Sequence, residues 1–176
     1  MIIVNHEVFD ACYPDKFSWN GHSCRCALGK NGVVASISKR EGDNMSPLGA
    51  WKIREVFYRK DRVFKPKTQL FVSEISESDG WCDDPNAPEY YNRKVKLPFP
   101  HRHEKLWRED HVYDIVVVLG YNDDPPVPGH GSAIFMHLKR GDYEGTEGCV
   151  ALAMDDLLAV LKDAKPGDVV RISTKD

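Results

Sequence analysis

Two stretches of the chain combine the residue types that nucleophilic catalysis requires. Gly131-Ser132-Ala133-Ile134-Phe135-Met136-His137 is an apolar run ending in a histidine, and Gly145-Thr146-Glu147-Gly148-Cys149-Val150 sets a cysteine behind a tight glycine turn. A cysteine attacks as its thiolate, so it needs a base within hydrogen-bond reach. A glycine beside it lets backbone N–H groups close on an oxyanion. A strand-end histidine and a Gly-Cys pair can supply both. Spacing alone leaves a second reading open, a buried cysteine beside a satisfied core histidine, because free cysteine is among the most buried residue types.

At these residues the sequence resembles the L,D-transpeptidase catalytic domain of the YkuD type, whose signature is a His, a spacer, then Ser/Thr-His-Gly-Cys. His137, eleven intervening residues and then Cys149 in Thr146-Glu147-Gly148-Cys149 match it in order and type. Upstream, Ser46-Pro47-Leu48-Gly49 is similar to the family's Thr-Pro-x-Gly turn into a strand. With Val118-Leu119-Gly120-Tyr121-Asn122, the likeness extends from about residue 25 to the C-terminus. Two departures stand out: the spacer is shorter than the family's, and Glu147 replaces the histidine before Gly-Cys. The Glu147 charge tends to raise the thiol pKa and to favour an ammonium-bearing substrate, the competing reading being a solvent-facing residue with no role.

The resemblance implies acyl transfer without a cofactor. Cys149, activated by His137, attacks the carbonyl on the L-centre of the third stem-peptide residue of peptidoglycan, and the terminal D-alanine departs as a thioester forms. The Gly148 and Cys149 N–H groups are the implied oxyanion donors, and the main-chain carbonyl of Leu138 is the implied holder of the second imidazole nitrogen. Water or an amine then resolves the thioester.

Trp81-Cys82-Asp83-Asp84 is a candidate for substrate contact: paired carboxylates can hold the free amine of a diaminopimelate side chain while Trp81 walls the pocket. An ordinary turn before Pro85 is the competing reading. No metal is expected. Cys24-Arg25-Cys26 lacks the two-to-four-residue gap of a zinc knuckle and has no matching second pair. His101-Arg102-His103 reads as an exposed polar loop, and the basic run Arg93 to Lys96 as a solvated edge.

The elements that must position these groups read as mainly β. Short strands are expected at Ile2 to Val4, Cys24 to Leu28 and Val33 to Ser38, with Asn31-Gly32 the clearest hairpin signal. Further strands are expected at Gly49 to Tyr58, Gln69 to Ile75, Tyr113 to Gly120, Ser132 to Leu138 and Asp168 to Ser173. Asp155 to Asp163 is the one convincing helix, with acids in its first turn. Between them, Glu77 to Asp110 carries four prolines and five aromatic anchors and reads as a long irregular loop, either one that roofs the site or a layer that covers one sheet. The expected architecture is a YkuD-like β-sandwich with one or two short helices, residues 1–176 forming a single catalytic domain.

The 176 residues carry 41% hydrophobic residues, enough for a substantial core. A formal net charge of -3 gives no general electrostatic reason for binding nucleic acid or an anionic membrane. No apolar run approaches a membrane span. The start, Met1 to Val8, lacks the basic and apolar regions of a secretory signal, so cytosolic residence is expected, or a periplasmic one if a signal has been removed. The odd count of five cysteines points to reduced thiols. Oligomeric state is not legible.

In the cytosol the expected partners are soluble fragments of peptidoglycan carrying the stem tetrapeptide, with water in large excess over acceptor amines. That favours an L,D-carboxypeptidase of murein recycling. The alternatives are an L,D-transpeptidase that forms crosslinks and an inactive module that binds wall fragments.

Overall fold

The computed structural model describes residues 5–175. Ile2 to Val4, expected as a strand, lies outside them. The first strands run β1 (Val8–Tyr13), β2 (Lys16–Trp19), β3 (His22–Arg25) and β4 (Val33–Ala35). Next come β5 (Ser46–Tyr58), β6 (Val72–Glu74), β7 (Asp79–Cys82), β8 (Arg93–Lys96) and β9 (His103–Lys105). The chain ends with β10 (Ile115–Leu119), β11 (Phe135–Leu138), β12 (Val150–Leu152), the helix α1 (Met154–Asp163) and β13 (Val169–Thr174).

The long strand β5 joins two halves of the main sheet. Gly49 to Lys52 pair with β13, whereas Ile53 to Tyr58 pair with β10. The path runs β12-β11-β10-β5-β13-β1-β2-β3, with β4 and β6 also against β5. Ala27, just past β3, exchanges two 2.9 Å hydrogen bonds with Ala151 of β12, which brings the two ends of that path together. The core draws from both halves: Phe9, Phe17 and Trp19 meet Val56, Val117, Met136 and Val150. One face of α1 closes it with Leu157, Val160 and Leu161, as an amphipathic helix does. The strand β10, Ile-Val-Val-Val-Leu, is buried along its whole length, and an unbroken aliphatic run of this kind suits an interior strand covered on both faces.

Two local expectations are corrected. Asn31-Gly32 does make a turn, Gly32 N–H donating to Gly29 O at 2.8 Å, but β4 leaves it to pair in parallel with the start of β5 instead of folding back as a hairpin. The type of hairpin expected there occurs at Asn20-Gly21, both with positive φ, between β2 and β3. The segment Glu77 to Asp110 is more regular than its prolines suggest. It folds as a separate three-stranded antiparallel sheet, β8-β7-β9, with residues of its inner face packed over the β10–β11 pair.

Candidate active site

The strand β12 lies parallel to β11, with Met136 opposite Val150 and His137 opposite Ala151. Side chains alternate along a strand, so Cys149 shares the face of Ala151 and hence of His137. Phe135 N–H donates to Cys149 Sγ at 3.4 Å, and the thiol donates to Ala133 O at 3.1 Å. Ala133 has a positive φ of 53°, uncommon for a residue with a Cβ, and its N–H is held by Asn92 Oδ1 at 2.9 Å. His137 Nδ1 lies 2.9 Å from Leu138 O. A carbonyl only accepts, so the ring proton sits on Nδ1 and Nε2 is left as a free base.

The turn that carries Cys149 is fastened from below. Gly148 adopts φ +138°, and a Cβ there would meet Met45 O at 2.9 Å, so the position requires glycine. Gly148 O accepts from the buried Ser46 hydroxyl at 2.8 Å, and Ser46 Oγ accepts from Gly29 N–H at 2.9 Å. Thr146 Oγ1 donates to Cys149 O at 2.7 Å and accepts the Gly148 N–H at 3.1 Å. The Gly148 N–H, one of the two implied oxyanion donors, is therefore already engaged within the turn.

Cys149 and Glu147 stand where two cavities adjoin. One, of about 280 Å³, is lined by His137, Lys30, Arg108 and Arg140, together with Glu144 and Glu147. The other, of about 290 Å³, is lined by Glu41, Asp83, Glu104 and Glu147, with Arg102 as its cation. The first lobe is mixed in charge and holds three cations; the second is predominantly anionic.

Burial pushes the Cys149 thiol up to about 12, with Glu104 and Glu147 acting in the same direction, while the Phe135 N–H and Lys39 oppose them. Burial likewise pushes the His137 imidazole down to about 4, and Arg108 and Arg140 repel its added proton. Burial therefore favours the neutral thiol and the neutral imidazole over the ion pair, and the thiol donates to Ala133 O. The Glu104 carboxyl, on β9 of the three-stranded sheet, is raised to about 7 by desolvation, although it accepts a 3.0 Å hydrogen bond from Tyr113.

The signature of the family described as YkuD, L,D-transpeptidase catalytic domain, matches residues 15–172. The chain belongs to this family. Among solved structures it is similar to Mycobacterium tuberculosis L,D-transpeptidase 1, at 10% sequence identity and a TM-score of 0.44, over 95% of this chain and 58% of that one. No curated protein matches the chain.

Within this L,D-transpeptidase-type domain, the residues singled out from sequence separate into two groups. Cys149, His137, Gly148, Leu138, Asp83 and Glu147 are gathered at or beside the two lobes. Asp83 faces the anionic lobe while bonded to Arg102 at 3.1 Å. Trp81 and Asp84 line neither lobe. Trp81 is buried, its ring edge-on to Phe135 at 5.0 Å and its Nε1 donating to Asn92 at 2.9 Å, so it supports the wall beneath Cys149 and does not form the pocket surface. Asp84 accepts the N–H groups of Asn86 and Arg102 at 2.9 and 3.1 Å and holds a turn.

Sequence reasoning passed over Glu104, Tyr113, Arg108, Arg140, Lys39 and the role of Ser46. Among the described residues, no group of three or more His, Cys, Asp or Glu could hold a metal ion. His103 Nδ1 instead bonds to His101 O at 2.7 Å. No helix among the described residues is long and apolar enough to cross a membrane.

Proposed function

We propose that this domain is a cysteine-dependent L,D-carboxypeptidase, acting on the stem tetrapeptide of peptidoglycan fragments through a thioester resolved by water. The observation that carries this reading is the placement of Cys149 and His137 on one sheet face, lining one cavity, with His137 Nδ1 bonded to Leu138 O so that Nε2 is the basic nitrogen. The Cys149 sulfhydryl turns from Ala133 O towards His137 Nε2, which takes its proton as Sγ attacks the carbonyl carbon of the third stem residue. The Cys149 N–H meets the developing oxyanion, since the Gly148 N–H is held by Thr146. As the C–N bond breaks, the imidazolium proton passes to the departing D-alanine amine. Water then adds to the thioester, giving its proton to Nε2, and the C–S bond breaks as that proton returns to sulfur.

The anionic lobe suits a third residue with a side-chain ammonium. Water at about 55 M outcompetes scarce acceptor amines unless the pocket strongly favours them. Incubation with a disaccharide-free tetrapeptide stem, followed by mass spectrometry, tests this reading. Tripeptide and free D-alanine are expected as the main products, and Cys149→Ala should abolish both while keeping the fold. Crosslinked dimer as the main product at modest acceptor concentration would make the domain a transpeptidase. Peptide binding with no product and no carbapenem adduct on Cys149 would make it a binding module.

A further inference from the structure

The lobe that holds His137 has a feature that the acyl-transfer chemistry does not itself require. Arg108 makes a two-pronged contact with Asp110, Nε to Oδ1 at 2.9 Å and Nη2 to Oδ2 at 2.7 Å. Arg140 Nη2 reaches the same Asp110 Oδ2 at 3.1 Å. Two guanidinium groups therefore share one carboxylate, and Asp110 can neutralise only one of them. Asp110 holds both on the wall of the cavity, and Arg140 is about half exposed there. Lys30 lies on the same lobe. The carboxylates facing it are Glu144 and Glu147, both exposed, and Glu147 also belongs to the anionic lobe on the far side of Cys149.

The chemistry fixes which end of the substrate enters this lobe. His137 must protonate the departing amine, so that nitrogen has to sit at the imidazole. In a C-terminal amino acid one Cα separates the amine nitrogen from the carboxylate carbon, which places them only about 2.5 Å apart by ordinary bond lengths. A free terminal carboxylate must then fall within reach of the groups around His137, and these include the Arg108–Arg140 pair. The acyl portion leads away across Cys149 to the anionic lobe.

We propose that the Arg108–Arg140 pair, clamped by Asp110, is the binding site for the terminal carboxylate of the departing residue. This makes the enzyme read the free chain end as well as the scissile bond. Guanidinium groups recognise carboxylates through charge-assisted, often paired hydrogen bonds, and an amide in the same place offers neither the charge nor the second acceptor. The inference rests on the acyl-transfer reading above and narrows it: a stem whose fourth residue is extended or amidated should be a poor substrate.

The test compares kcat/KM for the tetrapeptide stem as free acid and as C-terminal amide, in the wild-type chain, Arg140→Gln and Arg108→Gln. The wild-type chain is expected to prefer the acid by at least about tenfold. In Arg140→Gln, a half-exposed position that should fold normally, the preference should shrink to within about threefold, chiefly through KM for the acid. Arg108→Gln should shift the ratio in the same direction. The acid-to-amide ratio is the informative readout, because a variant that merely loosened the wall would lower both rates together. Turnover of acid and amide at equal rates by the wild-type chain, or an unchanged preference in Arg140→Gln, would overturn the inference and leave the acyl-transfer reading standing. Failure of the wild-type chain to process either peptide would remove the acyl-transfer reading, and this inference with it.

Discussion

Ser46 and Thr146 hold the nucleophile's turn with hydrogen bonds that an apolar residue could not make. Ser46→Ala would leave Gly148 O and Gly29 N–H without partners in the interior, a loss of roughly 1–3 kcal/mol for each unsatisfied group. Since both atoms belong to the frame of Cys149, kcat should fall by about tenfold or more, and Ser46→Thr, which keeps the hydroxyl, should restore most of it. Rates compared with thermal melts check this: loss of stability with kcat intact would reduce Ser46 to a packing role.

Glu104 gives a second expectation at the same scale. Its carboxyl is raised in the folded chain to about 7 from an ordinary 4.5. The stability linked to it is fully present below the unfolded value and is lost as pH rises through about 7. A melting series from about pH 5 to pH 8 should therefore fall more steeply for the wild-type chain than for Glu104→Gln. Ionisation also adds a negative charge near Cys149, so kcat should decline through the same window while KM for an ammonium-bearing peptide drops, and Glu104→Gln should flatten both trends. Neither Ser46 nor Glu104 could be assigned from spacing. Ser46 meets Gly148 across 102 residues of sequence, and Glu104 reaches the site only through the pairing of β7 with β9. Cys149 and His137 were legible because a short parallel pair, β11 with β12, brings together residues that a glycine turn and a strand end had already marked.

At the scale of elements, the sequence is most readable where one strand is long or wholly apolar. Strands β5 and β10 and helix α1 lie where periodicity puts them. Strand β4 misleads because a turn signal reports that the chain bends and not which strand it then meets. The three-stranded lid is hidden by its prolines, and its strands are only three or four residues long, too short for alternation to register. Trp81 tests the role of this lid. Packed on Phe135 and bonded to Asn92, it should act through stability: Trp81→Ala is expected to lose about 3–5 kcal/mol in denaturant unfolding. If Trp81 instead contacted substrate directly, the change would raise KM and leave unfolding nearly unaltered.

At the scale of the whole molecule, the pairing of β1 with β13 joins residues near the two ends of the chain, Val8 opposite Val169 through Tyr13 opposite Thr174. Nothing local in the sequence announces such a partner, since parallel neighbours carry no turn between them, and β1 itself was not expected. Asp168, buried just ahead of β13, pins the start of this pair. Its carboxylate accepts the Glu7 N–H at 2.8 Å and the Lys165 N–H at 2.8 Å, tying the entry of β1 to the turn that follows α1. Asp168→Ala would strand both N–H groups, and a loss of about 2–4 kcal/mol is expected on unfolding. Neither partner belongs to either lobe of the candidate site, and changes without shared contacts act nearly independently. At temperatures where the variant remains folded, kcat/KM should therefore stay within about twofold of wild type, whereas a parallel collapse of activity and stability would mean that the β1–β13 half of the sheet helps set the geometry at Cys149.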